Sequence, residues 1–310
     1  MGSRIVPSYG LGVALGIAAA SCWSLGGVLV RLTDGIDSWQ IVLYRSLTVL
    51  LLIGGWMALT KGRRTLAVIR QAGLNAVVAG IAVGLAGLCF VLSLFYTTVA
   101  QSIFMSGIAP FCAAFLGWWL LGERVSRATL FAMIIALVGL GVMVAGSLGK
   151  TSFIGTLLAL YSAFCFSCYS VLLRFGQQSD MTVALIWNAL FLCFLTLVVL
   201  LAPTPLRAAF GPGELVIGWT NFMWVTIMGA VQLTLGLVLF TMASRSVPAA
   251  QLALLALVEP TLGPVWAFLA VDEVPPLSTV IGGVVVMSAI VIQVLATSGG
   301  RLALLKRRVA

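Results

Sequence analysis

Apolar residues fill this chain in long blocks, and polar residues gather in the short gaps between them. A helix rises about 1.5 Å per residue, so a block of about 20 residues spans a hydrocarbon layer about 30 Å thick. The pattern predicts ten such helices, near Tyr9–Val30, Ser38–Thr60, Leu74–Tyr96, Val99–Leu121, Thr129–Ser147, Phe153–Leu173, Met181–Leu201, Glu214–Met242, Val247–Val271 and Leu277–Ser298, numbered helices 1 to 10 in that order. The longest gaps are Lys61–Gly73 and Ala202–Gly213. The second holds Pro203, Pro205 and Pro212, which stop helices. The first helix runs directly into the next span, with no separate mature domain behind it, so it does not read as a cleaved signal peptide.

The blocks repeat. Helix 4, AQSIFMSGIAPFCAAFLGWWLLGER from Ala100 to Arg124, aligns without gaps on AQLALLALVEPTLGPVWAFLAVDEV, from Ala250 to Val274, at an offset of 150. The alignment pairs Gln101 with Gln251, Pro110 with Pro260, Glu123 with Glu273 and, further on, Thr129 with Thr279. Helices 1 and 6 align at an offset of 143, which pairs Gly12 with Gly155, Ser24 with Ser167 and Arg31 with Arg174. The weight of these matches comes from rare residue types, since the chain has only four Glu and eight Gln. The unit is five helices. Five is odd, so the second copy enters the membrane upside down. The predicted architecture is an all-α integral membrane protein of ten transmembrane helices in two inverted five-helix repeats, residues 1–148 and 149–310.

Composition excludes the soluble classes. Hydrophobic residues make up 62% of 310 and charged residues 8%, with a mean hydropathy of +1.18. A soluble domain carries roughly a quarter of its residues charged. The net charge of +9 reflects orientation in the membrane and not a nucleic-acid partner. With the N-terminus in the cytoplasm, Lys and Arg divide 13 inside to 3 outside; the three are Arg31, Lys150 and Arg207. The bias stays consistent along the chain, which places both termini inside. No histidine, nucleotide loop or metal-binding spacing occurs, so an enzyme reading is weak and no cofactor or metal is implied. Cys165 and Cys168 form a lone C-x-x-C in mid-helix, read as two small apolar residues on one face. Gly12 with Gly16 and Gly80 with Gly84 are G-x-x-x-G pairs, read as close helix packing; a dimer face is the alternative.

Two full charges fall inside predicted spans. Arg45 lies about two turns into helix 2, where it either snorkels to the interface or serves as a substrate or ion-pair group. Glu259 is too deep to snorkel, and is neutral, paired or facing a wet cavity. A carboxyl so placed is a coupling candidate, a carrier of protons; satisfaction by a neighbouring polar group is the structural alternative. Pro110 and Pro260 each free a carbonyl one turn earlier, at Ser106 and Ala256, and are read as hinges. Gln101, Gln251, Ser24 and Ser167 could hydrogen-bond a polar solute, though each alone is more often glue between helices. Gln232 and Asn188 belong to the same class. Trp23, Tyr161 and Phe164 could line an apolar pocket. These residues, with Glu259, form the predicted substrate site.

The stretches IAPFCAAFLGWWLLGERVS and LFAMIIALVGLGVMV, then VEPTLGPVWAFLAVDEV and IGGVVVMSAIVI, together with Arg45 in LYRSLTVLLL, resemble the EamA branch of the drug/metabolite transporter superfamily. The second copy departs from the family's Gly-Glu helix end with Asp272-Glu273. The resemblance covers essentially the whole chain. It implies a ten-helix inverted-repeat carrier with helices 5 and 10 at the periphery, working by alternating access in a bacterial inner membrane. The chain looks most like the bacterial aromatic amino acid exporters. The expected function is export of amino acids, aromatic ones included, and related small metabolites, by a monomer or homodimer in the lipid bilayer. Alternatives are a carrier of drugs or other metabolites and, from a different class, a membrane scaffold or sensor without flux.

Overall fold

The computed structural model describes residues 7–33, 35–145, 152–201, 216–272 and 274–309. Of the charges counted above, Arg4, Asp34, Lys150, Arg207, Glu214 and Glu273 lie outside the described residues, as do the side chains of Arg301, Lys306, Arg307 and Arg308. Among the described residues the chain is all helical. Eight helices are long and apolar enough to cross a membrane, and a ninth apolar stretch, Val183–Val199, is shorter.

In chain order the helices are α1 (Tyr9–Ser24), α2 (Gly26–Arg31), α3 (Ser38–Lys61), α4 (Thr65–Tyr96), α5 (Val99–Ser106), α6 (Ala109–Leu121), α7 (Arg127–Val144), α8 (Phe153–Phe175), α9 (Val183–Leu201), α10 (Trp219–Ile227), α11 (Gly236–Ala243), α12 (Ala249–Leu255), α13 (Val258–Val271) and α14 (Leu277–Val309). A π-helical stretch, Met228–Leu235, joins α10 to α11. Within α3 to α4 the apolar run Ser38–Leu94 is 57 residues long, far beyond one bilayer crossing. It is broken by Gly62 at φ 51° and Gly73 at φ 62°, left-handed conformations in which glycine carries no Cβ penalty. The predicted loop Lys61–Gly73 is therefore largely helical. Thr65 donates to the Gly62 carbonyl at 2.8 Å, and Val68 and Ile69 pack on the core while Leu66 faces outward. An amphipathic turn of this kind suits the membrane surface.

Breaks occur where the repeat predicts them and also where it does not. Helix 4 divides at Gly107 and Ile108, and helix 9 at Ala256 and Leu257. The two breaks sit at matching places in the repeat, and Pro110 and Pro260 lie in the first turn after them. Proline is tolerated there because the first-turn N–H groups have no intrahelical partner. The freed Ala256 carbonyl is not left open. It accepts the Glu259 N–H at 3.0 Å through a tighter turn. Helix 1 is also divided, at Leu25, although the sequence holds no proline there. Its mate α8 is continuous.

Packing interleaves the two repeats. α4 lies along α8 and α9; α1 lies along α11 and α13; α7 pairs with α14. Under the offsets above, α4 against α8 and α1 against α11 are matching contacts, so the pairing is reciprocal. Close approach depends on small residues. A Cβ on Gly282 would run into the Gly139 carbonyl of α7 and the Met143 N–H. The two G-x-x-x-G pairs are used within the chain. A Cβ on Gly80 would stand 2.7 Å from Trp187 Cβ and 2.8 Å from Asn188 N, on Gly84 2.9 Å from Phe191, and on Gly16 2.9 Å from Leu255. The core runs through these seams, with Ala76, Ala79, Leu140, Ala184, Leu252 and Val286 fully enclosed.

Candidate functional site

The site is built on the two broken helices. Each break frees a short stretch of backbone, and the first turn beyond it carries the proline. Ser167 on α8 donates to the Ala109 carbonyl at 2.8 Å and to its own Ala163 carbonyl at 2.7 Å, tying α8 to the break of helix 4. The matching residue, Ser24, does not make the matching bond. Its hydroxyl donates to the Ser21 carbonyl at 2.7 Å and accepts the Trp266 Nε1–H at 2.8 Å. Trp266 therefore reaches across from α13 to the end of α1. Ala109 is the repeat mate of Glu259, so the bond that pins the first break is absent at the second.

Glu259 is partly exposed, and among the described residues its carboxyl group has no hydrogen bond or ion pair. Arg45 on α3 is partly exposed too, and its Nε is buried without a partner. The two do not pair with each other. Arg45 lies beside the π-helical stretch, where a Cβ on Gly229 would stand 2.9 Å from the Arg45 carbonyl. Further along that stretch the Thr234 hydroxyl donates to the Gly229 carbonyl at 2.7 Å. Gln232 packs against Gly26, just past the helix 1 break, and its Oε1 is buried with no partner. Stretches of π-helix recur at functional sites. Nothing in the sequence pattern marked this one.

Trp23 stands in an aromatic cluster with Phe166, Tyr169 and Phe240. Its ring centroid is 5.0 Å from Phe240 and 5.8 Å, edge-on, from Phe166; Phe166 and Phe240 are 5.4 Å apart. Tyr169 is fully enclosed and bonds Thr241 at 3.2 Å. Tyr161 and Phe164 lie instead on the exposed stripe of α8, at 47% and 44% exposure, away from that cluster.

Gln101 and Gln251 are not brought together. Gln251 belongs to a buried network in which its Nε2 donates to Thr129 Oγ1 at 3.2 Å and its Oε1 accepts from Tyr9 at 2.9 Å. Gln293 donates to Tyr9 at 3.2 Å and to Thr297 at 3.2 Å. Gln101 lies at the opposite end of the bundle, partly exposed, and among the described residues its side chain has no partner. Both were expected to hydrogen-bond a polar solute, but these repeat mates occupy opposite ends of the bundle and cannot meet one solute together.

The end that holds Gln251 also holds a clamp that sequence reasoning passed over as membrane-edge charge. Arg174 Nε donates to Glu123 Oε1 at 2.7 Å, and its Nη1 donates to the carbonyls of Ser244 at 3.2 Å and Arg245 at 2.9 Å. Glu123 Oε2 accepts the Ala249 N–H at 3.1 Å. One ion pair thus ties four elements together: the carboxylate joins the end of helix 4 to α8 and to the start of helix 9, and the guanidinium joins α8 to the turn before helix 9. Lys61 and Asp180 pair at the same end, 4.0 Å apart. A cavity of about 320 Å³ opens beside the clamp, lined by Glu123, Thr129 and Gln251 among others, but by none of Trp23, Gln101 or Glu259. The sequence signal for the clamp was present in the repeat of Arg31 on Arg174 and Glu123 on Glu273.

Below the clamp, Leu116, Val171 and Ala249 form a small buried cluster against which Cys168 packs. α6 lies along α12 here. Their mates at the opposite end, α5 and α13, make no comparable contact among the described residues. The broken helices are closed on each other at the basic end and apart at the other.

All six cysteines are free thiols, Cys165 and Cys168 included, and the described residues hold no metal-binding group of His, Cys, Asp or Glu. Comparison with known proteins bears on the whole chain. A solved crystal structure, titled only as that of a protein, superposes with a TM-score of 0.75 at 19% identity, covering 92% of this chain and 96% of the other, which establishes a shared fold. No curated relative matches by sequence. The model of the EamA-like transporter family matches twice, over residues 10–145 and 153–295, one match on each copy of the repeat. With its two repeats, its apolar helices and its paired breaks, the chain belongs to the EamA-like transporter family, whose members are membrane transporters of small molecules and not enzymes.

Proposed function

We propose that the protein is a secondary exporter of amino acids, aromatic ones included, and related small metabolites. It works by alternating access between two inverted five-helix halves, 1–148 and 149–310, with ten transmembrane helices. The count of ten follows when the 57-residue run is divided at Gly62–Gly73 and the shorter Val183–Val199 stretch is included. The carrying observation is the unequal closure of the broken helices: α6 lies along α12, while α5 and α13 stand apart. A carrier that alternates must close one end at a time, and inverted repeats supply two equivalent gates. The 13 to 3 division of Lys and Arg supports a cytoplasmic placement of the clamped end and of both termini, and the family resemblance supports a bacterial inner membrane. The conformation is then outward-facing.

The amino acid cargo rests on the resemblance to the aromatic amino acid exporters. Residues support it in kind: an unpaired carboxyl at Glu259 to meet a positive group, Trp23 in its aromatic cluster for an apolar one, and Ser24 and Ser167 beside the breaks of helices 1 and 4; Tyr161, Phe164, Gln101 and Gln251 lie away from this group. Purified protein in liposomes, offered labelled aromatic and aliphatic amino acids, should accumulate at least one aromatic substrate. Flux of drugs or other metabolites alone would replace the cargo assignment. Absence of flux for every solute would favour a scaffold or sensor.

A further inference from the structure

The network at the clamped end has a latent counterpart. Gln251 of helix 9 donates to Thr129 at the start of helix 5. The offset of 150 carries Gln251 onto Gln101 and Thr129 onto Thr279, so the inverted counterpart is Gln101 of helix 4 donating to Thr279 at the start of helix 10. That bond is not made. Gln101 has no side-chain partner among the described residues, and Thr279 donates instead to the Met143 carbonyl of α7 at 3.2 Å. The unmade bond coincides with the end where α5 and α13 stand apart. A polar side chain inside a membrane protein that lacks a partner in one state is held more cheaply if it gains one in another.

We infer that Gln101 and Thr279 form a hydrogen-bonded latch that closes this second end, and that it is made in the conformation in which the Gln251–Thr129 latch is broken. The inference rests on the alternating-access reading but not on the identity of the cargo. The two latches are related by the inverted repeat, so each stabilises one closure without touching the substrate. Thr279 has its carbonyl bond to Met143 as the alternative it gives up, and Thr129 has its bond to Ser126, 2.9 Å.

The test reads closure at the clamped end through Cys168, which packs beneath it. With the other five cysteines replaced by alanine, a water-soluble maleimide reports how often this end opens, in liposomes without substrate. Gln251→Leu should raise the labelling rate, and Gln101→Leu should lower it about fivefold, the worth of one neutral hydrogen bond in a population ratio. In a Thr279→Val background, Gln101→Leu should have no further effect, because the latch is already lost. Gln101 has no side-chain hydrogen bond among the described residues of the observed conformation, so its replacement costs that conformation none. An unchanged rate for Gln101→Leu, or an equal effect of it in both backgrounds, overturns the latch. If Gln251→Leu also fails to change labelling, alternation itself falls and takes the latch with it. Failure of amino acid flux in the separate liposome assay would strike the cargo alone.

Discussion

Replacing Glu123 by alanine removes two bonds at once from the clamped end. The first is the pair with Arg174 at 2.7 Å; the second is the acceptor for the Ala249 N–H at 3.1 Å. Both charged side chains are 21% exposed, so solvent screens the pair only in part. Arg174 keeps the Ser244 and Arg245 carbonyls and is not orphaned, which limits the loss. Ala249 fares worse. Its helix is preceded by Pro248, which supplies no capping side chain, whereas the mate α5 is capped by Thr98, whose hydroxyl accepts the Gln101 N–H at 3.1 Å. A hydrogen bond to a charged group contributes about 1.5–3 kcal/mol. Taking about 2 kcal/mol for the closed state, at about 1.4 kcal/mol per tenfold, the open population at this end rises about 30-fold. Labelling of Cys168 in the protein stripped of its other cysteines should rise by that factor. Arg174→Gln should raise it less, because Glu123 still caps Ala249. An unchanged rate in Glu123→Ala would refute the reasoning, since the clamp would then contribute nothing to closure.

Three further outcomes follow from the geometry. Glu259→Gln should leave the protein folded and remove the pH dependence of flux, measured across an imposed proton gradient; transport with the pH profile of the parent would end the proton-carrier role. Gly282→Ala should lower the melting temperature in detergent by several degrees, since overpacking at a close crossing costs about 1–3 kcal/mol, while Gly54→Ala, where a Cβ meets nothing within 4 Å, should not. Trp266→Phe removes the only bond that Ser24 accepts among the described residues, and should alter transport kinetics without lowering stability by more than the roughly 1 kcal/mol of one hydrogen bond.

Much of the fold is legible in the sequence, because lipid leaves the backbone few options. Apolar blocks of helix length become helices since every N–H must be bonded internally. The breaks in helices 4 and 9 were announced by Pro110 and Pro260. The division at Leu25 and the π-helical stretch were not, because each is imposed by packing: Gly26 must pass Gln232, and Gly229 must pass Arg45 and Thr48. The candidate site was legible only in part. Residue type marked Glu259, Gln101 and Gln251, but depth decides which of them can meet, and the repeat mates Gln101 and Gln251 lie at opposite ends. Trp266 escaped notice among nine tryptophans, since nothing local in its sequence points to Ser24. The Glu123 clamp was hidden for the opposite reason: charges at helix ends are common enough in membrane proteins to be read as interfacial.

The interleaving of the halves bears on biosynthesis. α4 belongs to the first repeat, yet among the described residues its small-residue face, Ala72, Ala76, Ala79 and Gly80, is buried chiefly by α8 and α9. Those partners leave the ribosome at least 70 residues later, so the nascent first half must hold that face against lipid or an insertion factor until they arrive. A gene cut between residues 145 and 153 should therefore yield two fragments that are each unstable alone but assemble into a working carrier when made in the same cell.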